Sequence, residues 1–155
     1  MYIQIYIIPL IRHMENNNIF CRCLYYSANA LARNLTRLAE EEFAFTGLKP
    51  NYAFILISVN REPGVSAGKL AEILMLTPST VTRFLDKLED LEMVKRMTEG
   101  RSMLVFPTKK SVDLNENLKT AWINLYKRYI KILGEEFAQE LTNSIYTSAT
   151  KLENK

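Results

Sequence analysis

The sequence predicts a mostly helical α+β fold, and three observations in residues 65–109 lead to this prediction. Two helix starts, at Ser66 and at Thr77-Pro78, lie so close together that a tight turn must separate the helices. Apolar residues in the second helix recur every three or four positions. Two short apolar runs then flank a glycine-containing tip at 98–101. Helix, turn, helix and two-stranded hairpin together predict a winged helix-turn-helix.

Both short helices have recognisable start signals. The side chain of Ser66 can accept hydrogen bonds from the free N–H groups of the first turn. Thr77 is a second good N-cap, and Pro78 is tolerated at the first helical position because its missing N–H has no partner there. The second helix has an apolar back, and its front carries small hydroxyl side chains and cations. Such a front is typical of a helix that lies in a DNA groove.

The hairpin and the helix before the motif are also visible in the pattern. Residues 93–97 and 102–106 are predicted strands, and Gly100 supplies a residue that is free to adopt a positive φ at the tip. Pro107 is expected to end the second strand. Residues 51–60 are apolar on nearly every side, so we expect that helix in the middle of a domain.

Long helices are predicted on both sides of the winged motif. One helical pattern covers 18–44, and another begins at a cap residue, Ser111 or Asp113. Gly134 interrupts the second pattern before a last helix at 135–152. These helices carry more apolar surface than a small winged core can cover, which predicts a homodimer. The chain is predicted to divide into an N-terminal extension at 1–17, dimerisation regions at 18–46 and 111–155, and a DNA-binding domain at 47–110. The natural start of the protein is expected at either Met1 or Met14.

Composition excludes several classes of function. The chain has 155 residues, of which 48% are hydrophobic, and its net charge of +3 neither requires nor excludes nucleic acid. One histidine and two closely spaced cysteines predict neither a metal site nor a disulfide, and no cofactor is expected. The apolar run at 1–11 is too short to cross a bilayer, so we expect a cytoplasmic protein without a membrane partner. We find no nucleophile with a base and no phosphate-binding loop, which argues against an enzyme.

The candidate DNA-binding residues are hydroxyl-bearing and cationic side chains on the second helix, at the preceding helix start and on the wing. Hydroxyls contact phosphates or bases, arginine pairs with guanine, and a wing-tip arginine can enter the minor groove. The alternative is an ordinary solvated face, because every cation between 77 and 101 is matched by an acidic residue. The candidates are Ser66, Thr77, Ser79, Thr80, Thr82, Arg83, Lys87, Lys95, Arg96 and Arg101.

The chain resembles the MarR family of transcriptional regulators from about Phe20 to its C-terminus, and the most specific match is Leu-Thr-Pro-Ser-Thr-Val-Thr-Arg-Phe at 76–84. The resemblance implies a homodimer with interlocked terminal helices, two winged lobes and often a ligand cleft. Three departures from the family pattern are visible. Glu92 replaces a glycine that usually follows the second helix, Glu99-Gly100-Arg101 replaces Asp-x-Arg, and residues 107–111 replace a Leu-Thr-x-x-Gly closure.

The resemblance also suggests how the protein is regulated. The segment around Cys21 resembles that of peroxide-sensing relatives, and the adjacent Arg22 can lower a thiol pKa; the alternative is an apolar filler. Tyr25, Tyr26 and Tyr52 are candidates for an effector cleft or for core packing. The predicted function is a regulator, most simply a repressor, that binds a pseudo-palindromic operator as a homodimer and responds to a small-molecule or redox effector. The alternative is a winged-helix protein–protein interaction module without DNA binding.

Overall fold

The computed structural model describes residues 19–20 and 22–153, and the chain divides into two compact units between Leu38 and Ala39. The first unit contains the larger part of the first helix. The second contains the remaining helices and one small sheet, so the predicted mostly helical winged fold is confirmed. The elements are α1 (Leu24–Phe43), a 3₁₀ turn (Ala44–Thr46), α2 (Pro50–Arg61), β1 (Val65–Ser66), α3 (Ala67–Leu74), α4 (Pro78–Asp90), β2 (Val94–Glu99), β3 (Ser102–Pro107), α5 (Lys109–Leu133) and α6 (Glu135–Glu153).

In the first unit, α1 begins later than the predicted residue 18. The N–H of Cys23 donates to the carbonyl of Phe20 at 2.9 Å, so a turn precedes the helix. Leu24 and Tyr25 are strongly exposed, and the ring of Tyr26 lies 5.4 Å from that of Phe20. Cys21 lies outside the described residues.

The core of the second unit forms around α2, as its apolar sequence predicts. Ala53, Ile55, Leu56 and Val59 are fully buried on this helix, and α2 contacts α3, β3 and α5. α4 adds Val81, Leu85 and Leu88, which are also fully buried. Each of these buried valine, leucine and isoleucine side chains contributes roughly 1.5–3 kcal/mol of hydrophobic stabilisation.

The sheet has three antiparallel strands in the order β1-β3-β2. β2 and β3 form the wing, whose register runs from Val94 opposite Pro107 to Glu99 opposite Ser102. The tip is therefore shorter than the predicted 98–101 and consists of Gly100 and Arg101, with Gly100 at φ +60°. The sequence did not predict β1, because two residues are too few to establish an alternating pattern.

The start of α5 corrects the predicted cap. The N-cap is Thr108, whose hydroxyl accepts from the N–H of Ser111 at 3.3 Å, rather than Ser111 or Asp113. Ser111 is fully buried instead, and its hydroxyl donates to the Asn60 side-chain oxygen at 3.0 Å. Asn60 in turn donates to the carbonyl of Ser111 and to the side chain of Asn115, both at 3.2 Å. This network joins α2 to α5 and satisfies polar groups that would otherwise be costly to bury.

A three-residue ion-pair cluster joins β2 to α4. The guanidinium of Arg96 donates to Asp86 at 2.6 Å and to Glu89 at 2.5 and 2.8 Å, and the Arg96 N–H donates to Glu89 at 3.2 Å. The hydrogen bonds from Arg96 hold the pKa of Glu89 below its ordinary value. The hydrogen bonds to Glu89, which have the larger effect, and to Asp86 raise the pKa of Arg96. We call Arg96, Asp86 and Glu89 the Arg96 cluster.

The turn between α4 and β2 contains a strained residue. Glu92 has φ +57°, in the left-handed region where glycine is favoured. Its N–H donates to the carbonyl of Glu89 at 2.8 Å, and its carbonyl accepts from the Thr108 hydroxyl at 2.7 Å. The backbone at this position thus adopts a glycine-like conformation although the sequence has glutamate.

Replacing Glu92 by glycine should stabilise the protein. The left-handed conformation costs a non-glycine residue roughly 1–2 kcal/mol, whereas glycine gives back about 0.4–1 kcal/mol through greater freedom of the unfolded chain. We expect E92G to raise the free energy of unfolding by about 0.5–1 kcal/mol in urea titrations. The control D90G puts glycine at a helical residue of α4 and should slightly lower it. Equal effects of the two substitutions would contradict the assignment of strain to Glu92.

The Arg96 cluster should make stability depend on acid pH. Because the folded-state pKa of Glu89 lies below its unfolded value of about 4.5, the stabilisation is present above that pH and is lost as the pH falls below it. We expect E89Q to flatten the decline of unfolding free energy between about pH 5 and 3, by no more than about 1 kcal/mol because Glu89 is partly exposed. E72Q removes an exposed carboxylate of α3 that has no ion-pair partner in the described part of the chain, and is the control. Identical slopes for E89Q and E72Q would overturn this prediction.

Candidate nucleic-acid interface

The N-terminal turn of α4 carries a group of hydroxyls. Thr77 caps the helix, because its side-chain oxygen accepts from the N–H of Thr80 at 3.3 Å. The same oxygen lies 3.1 Å from the Ser79 hydroxyl and 2.9 Å from the Thr80 hydroxyl, and Thr82 donates to the carbonyl of Pro78 at 2.9 Å. These hydroxyls are held by one another and by the backbone, so their oxygens are fixed in place at the helix surface.

The charge at this helix end favours an anion. The first turn of α4 contains no acidic residue, and the N-terminus of a helix has a partial positive charge and free N–H groups. Thr77, Ser79 and Thr82 are exposed, and Thr80 is half-buried. The end of α4 is therefore accessible and suited to a phosphate or another anion.

Arg83 and Lys87 extend this surface along α4, and they lie about one helical turn apart. Both are exposed, and their spacing of four residues places them on one face of the helix. Within residues 19–20 and 22–153 neither forms an ion pair. The alternative interpretation is a solvated face on which these cations pair with Asp86, Asp90 or Glu89. In the described part of the chain neither cation forms such a pair, and the carboxylates of Asp86 and Glu89 are bound to Arg96 instead.

The structure places Arg96 in an ion-pair cluster, and its phosphate contact stays a prediction. The sequence predicts a phosphate contact for Arg96, but its side chain is only 21% exposed, and its ion pairs in the described part of the chain are with Asp86 and Glu89. Lys95, the neighbouring residue on β2, is exposed instead, as the alternation of a strand requires. Arg101 is exposed at the wing tip and has no ion pair in the described part of the chain.

The sequence analysis did not identify Asp86 and Glu89 as partners of Arg96. Their three-residue spacing on α4 is the signal that places two carboxylates on one helix face. The partner, however, comes from a strand whose position relative to the helix is set by the fold.

Ser66 has a structural role at the start of α3. Its hydroxyl accepts from the N–H of Lys69 at 3.1 Å, which confirms the predicted cap. The ammonium of Lys69 binds Glu62 at 2.7 Å. Ser66 is half-buried, and because the cap uses its hydroxyl oxygen as an acceptor, its O–H can still donate to a ligand oxygen.

The three candidate effector tyrosines have different surroundings. The ring of Tyr52 packs edge-on against Phe84 with a centroid distance of 5.2 Å, so Tyr52 supports α4 from α2. Tyr25 and Tyr26 belong to the first unit, where they are 79% and 39% exposed. A cleft formed by all three stays a prediction, as does a redox role for Cys21.

Two shallow openings lie elsewhere in the second unit. One, of about 270 Å³, is lined by Tyr126, Tyr129, Ala138, Gln139, Thr142 and Asn143, and burial raises the pKa of Tyr129. The other, of about 480 Å³, is lined by Glu40, Ala44, Gly47, Leu48, Lys49 and Pro50. In the described part of the chain, no three histidine, cysteine or acidic side chains are grouped for a metal ion, and no helix is long and apolar enough to cross a membrane.

Comparison with known structures gives consistent matches to one fold. CouR from Rhodococcus jostii RHA1, bound to p-coumaroyl-CoA, is 18% identical with a TM-score of 0.70 over 81% of this chain and 91% of that chain. The MepR–DNA complex of S. aureus is 16% identical, with a TM-score of 0.71 over 83% and 97%. A putative MarR-family regulator from Listeria monocytogenes complexed with a 26-mer DNA is 19% identical, with a TM-score of 0.70 over 84% and 89%.

Sequence comparison is more restricted. No curated protein sequence matches the chain, but residues 48–99, from the end of the 3₁₀ turn to the last residue of β2, match the model of the MarR family. Residues 48–99 are thus similar to the MarR family, and the fold of the chain is the winged helix-turn-helix fold of the solved MarR-family regulators that it matches.

Proposed function

We propose that this protein is a transcriptional regulator that binds double-stranded DNA with α4 in the major groove. The observation that carries the proposal is the distribution of charge on α4. Arg83 and Lys87 are exposed without ion pairs in the described part of the chain, whereas the carboxylates of Asp86 and Glu89 are bound to Arg96. Although the local charge sum is neutral, one face of α4 thereby carries two cations that are unpaired among the described residues, Arg83 near the middle of the helix and Lys87 in its last turn.

Each candidate residue has a proposed contact. Ser79, Thr80 and Thr82 bind phosphate oxygens or base edges, and Thr77 contacts a phosphate through its hydroxyl at the helix N-terminus, where an anion is favoured. Arg83 reads a base, for which guanine is the usual partner. Lys87, Lys95 and Ser66 bind phosphates, and Arg101 enters the adjacent minor groove.

Homodimerisation would supply two such helices for two half-sites of a pseudo-palindromic operator. The support is the number of large apolar side chains that α5 and α6 leave exposed, because extensive exposed apolar surface marks an interface. The exposed side chains there include Ile123, Ile132, Phe137, Ile145, Tyr146 and Leu152. Repression by occupancy of a promoter is the simplest consequence of such binding.

An effector would act by differential affinity. A ligand or oxidation event that favours a spacing of the two DNA-binding lobes incompatible with the operator shifts the population away from the bound form. Tyr25, Tyr26 and Tyr52 are the proposed ligand-contacting residues, and Cys21 is the proposed redox site. The structural neighbour CouR was crystallised with p-coumaroyl-CoA, which is an example of a small-molecule complex on this fold.

The other candidate function is a winged-helix protein–protein interaction module. The balanced charge of residues 77–101 is the observation that favours it. Electrophoretic mobility shifts on a random duplex at low salt separate the two functions, because a DNA-binding protein retards the duplex in a salt-dependent way and an interaction module does not.

Substitutions on α4 should affect DNA binding in two distinct ways. We expect R83A to weaken binding to a duplex selected by the protein from genomic DNA by roughly 5- to 150-fold, with less effect on random duplex. K87A should weaken both duplexes to similar extents and reduce the slope of log affinity against log salt by about 1. Fluorescence anisotropy titrations measure both effects. K131A, which removes an exposed cation of α5, is the control, and an R83A protein with unchanged affinity for the selected duplex would refute the assignment.

The dimer should depend on the apolar surface of α5 and α6. We expect the protein to sediment at twice the mass of one chain, and I132E to raise the dimer dissociation constant by at least about tenfold, because a carboxylate is costly in an apolar interface. Ile132 is 66% exposed, so the substitution spares the core of the subunit. I73E introduces the same change at a 51% exposed isoleucine of α3 and is the matched control. Equal dissociation of I132E and I73E would show that another surface forms the dimer.

A further inference from the structure

We propose that Arg96 is a positioning residue for DNA binding, which it supports without touching DNA by fixing the wing to α4 and occupying the carboxylates of Asp86 and Glu89. This inference rests on the proposed function of α4. It assigns to Arg96 a role different from the phosphate contact that its sequence position predicts.

The Arg96 cluster holds β2 to α4 through several hydrogen bonds. The guanidinium binds two carboxylates that lie three residues apart on α4, with Nη1 to Asp86 at 2.6 Å and Nε to Glu89 at 2.8 Å. The backbone N–H of Arg96 donates to the second oxygen of Glu89 at 3.2 Å. Because Glu89 accepts from both the side chain and the main chain of Arg96, it constrains the strand as well as the guanidinium. Charge-assisted bonds with planar arginine geometry restrict orientation more than a single lysine contact does.

The position of Arg96 in the hairpin means that the Arg96 cluster also restrains the wing. Arg96 lies opposite Val105 in the β2–β3 register, and Val105 is fully buried. Beyond this pair the hairpin continues to the exposed tip at Gly100 and Arg101. In the described part of the chain, the Arg96 cluster is therefore the side-chain connection between α4 and the wing that lies closest to the tip, and it constrains where the tip lies relative to α4.

The second effect is electrostatic. Asp86 follows Arg83 by three residues, a spacing at which helical side chains of opposite charge pair. Without Arg96, the carboxylate of Asp86 would be available to Arg83 and would also repel phosphates next to Lys87. With Arg96 bound, Arg83 and Lys87 have no ion pair in the described part of the chain. Arg96 thus leaves Arg83 free by binding Asp86, its acidic neighbour three residues along the helix.

A direct phosphate contact and a positioning role predict different results for combined substitutions. If Arg96 binds a phosphate, its loss removes that contact, and neutralising Asp86 and Glu89 does not restore the contact. If Arg96 acts through the two carboxylates, removing their charges together with Arg96 restores much of the affinity. The salt dependence separates the two roles as well, since each phosphate contact contributes about 0.9 to the slope of log affinity against log salt.

The experiment compares R96M with the triple variant D86N/E89Q/R96M in anisotropy titrations on the selected duplex at several salt concentrations. We expect R96M to lose about tenfold or more in affinity, equivalent to about 1.4 kcal/mol, and the triple variant to recover to within about threefold of wild type. The salt slope of the triple variant should equal that of wild type. Circular dichroism melts define a temperature at which all variants are folded. R128M is the matched control, because Arg128 also binds two carboxylates, those of Glu41 and Glu42, but lies on α5; its DNA affinity should be unchanged.

The outcomes are distinct. Recovery in the triple variant with an unchanged salt slope supports the positioning role. A triple variant as weak as R96M, with a slope reduced by about 0.9, overturns it in favour of a direct phosphate contact and leaves the proposed function intact. A wild-type protein that shows no salt-dependent DNA binding overturns both the proposed function and this inference.

Discussion

Burial of the apolar back of α4 is the constraint on which the candidate interface depends. Val81, Leu85 and Leu88 have no exposed surface, and an α-helix has fixed angular positions for its side chains. Once these three residues face the core, Ser79, Thr82, Arg83 and Lys87 must face outward. Packing of the core therefore determines which chemistry α4 presents, before any electrostatic interaction is considered.

The distribution of charge on that surface then decides which partners it favours. Residues 77–101 contain equal numbers of acidic and basic side chains in sequence, and such a balance by itself favours no partner. The fold breaks the balance by bringing β2 against α4, where Arg96 binds Asp86 and Glu89. The helix keeps the exposed cations Arg83 and Lys87 on the same side as the hydroxyls of its N-terminal turn, where the helix dipole is also positive. The positive character of this face therefore comes from the sorting of charge and not from an excess of charge.

The departure from the family pattern at Glu92 is stabilised by hydrogen bonds nearby. Glu92 adopts the left-handed backbone conformation that a glycine would adopt without strain, and the hydroxyl of Thr108 binds its carbonyl. The same Thr108 caps α5, and its N–H donates to the carbonyl of Met93 at 3.1 Å. One threonine thus joins the end of the α4–β2 turn to the start of the long C-terminal helix. The strain at Glu92 is tolerated because these hydrogen bonds on both sides hold the turn.

Local patterns in the sequence determined the elements of this protein. The caps at Ser66 and Thr77, the buried stripe of α4 and the break at Gly134 follow from interactions within one helical turn. The tertiary structure alone decided which distant groups meet. β1 forms only because β3 lies beside it, Ser111 is buried only because Asn60 accepts its hydroxyl, and Arg96 is withdrawn from the surface only because β2 packs on α4. Local sequence encodes local hydrogen bonds and amphipathic faces, whereas the partner of a long-range polar contact depends on how those faces pack.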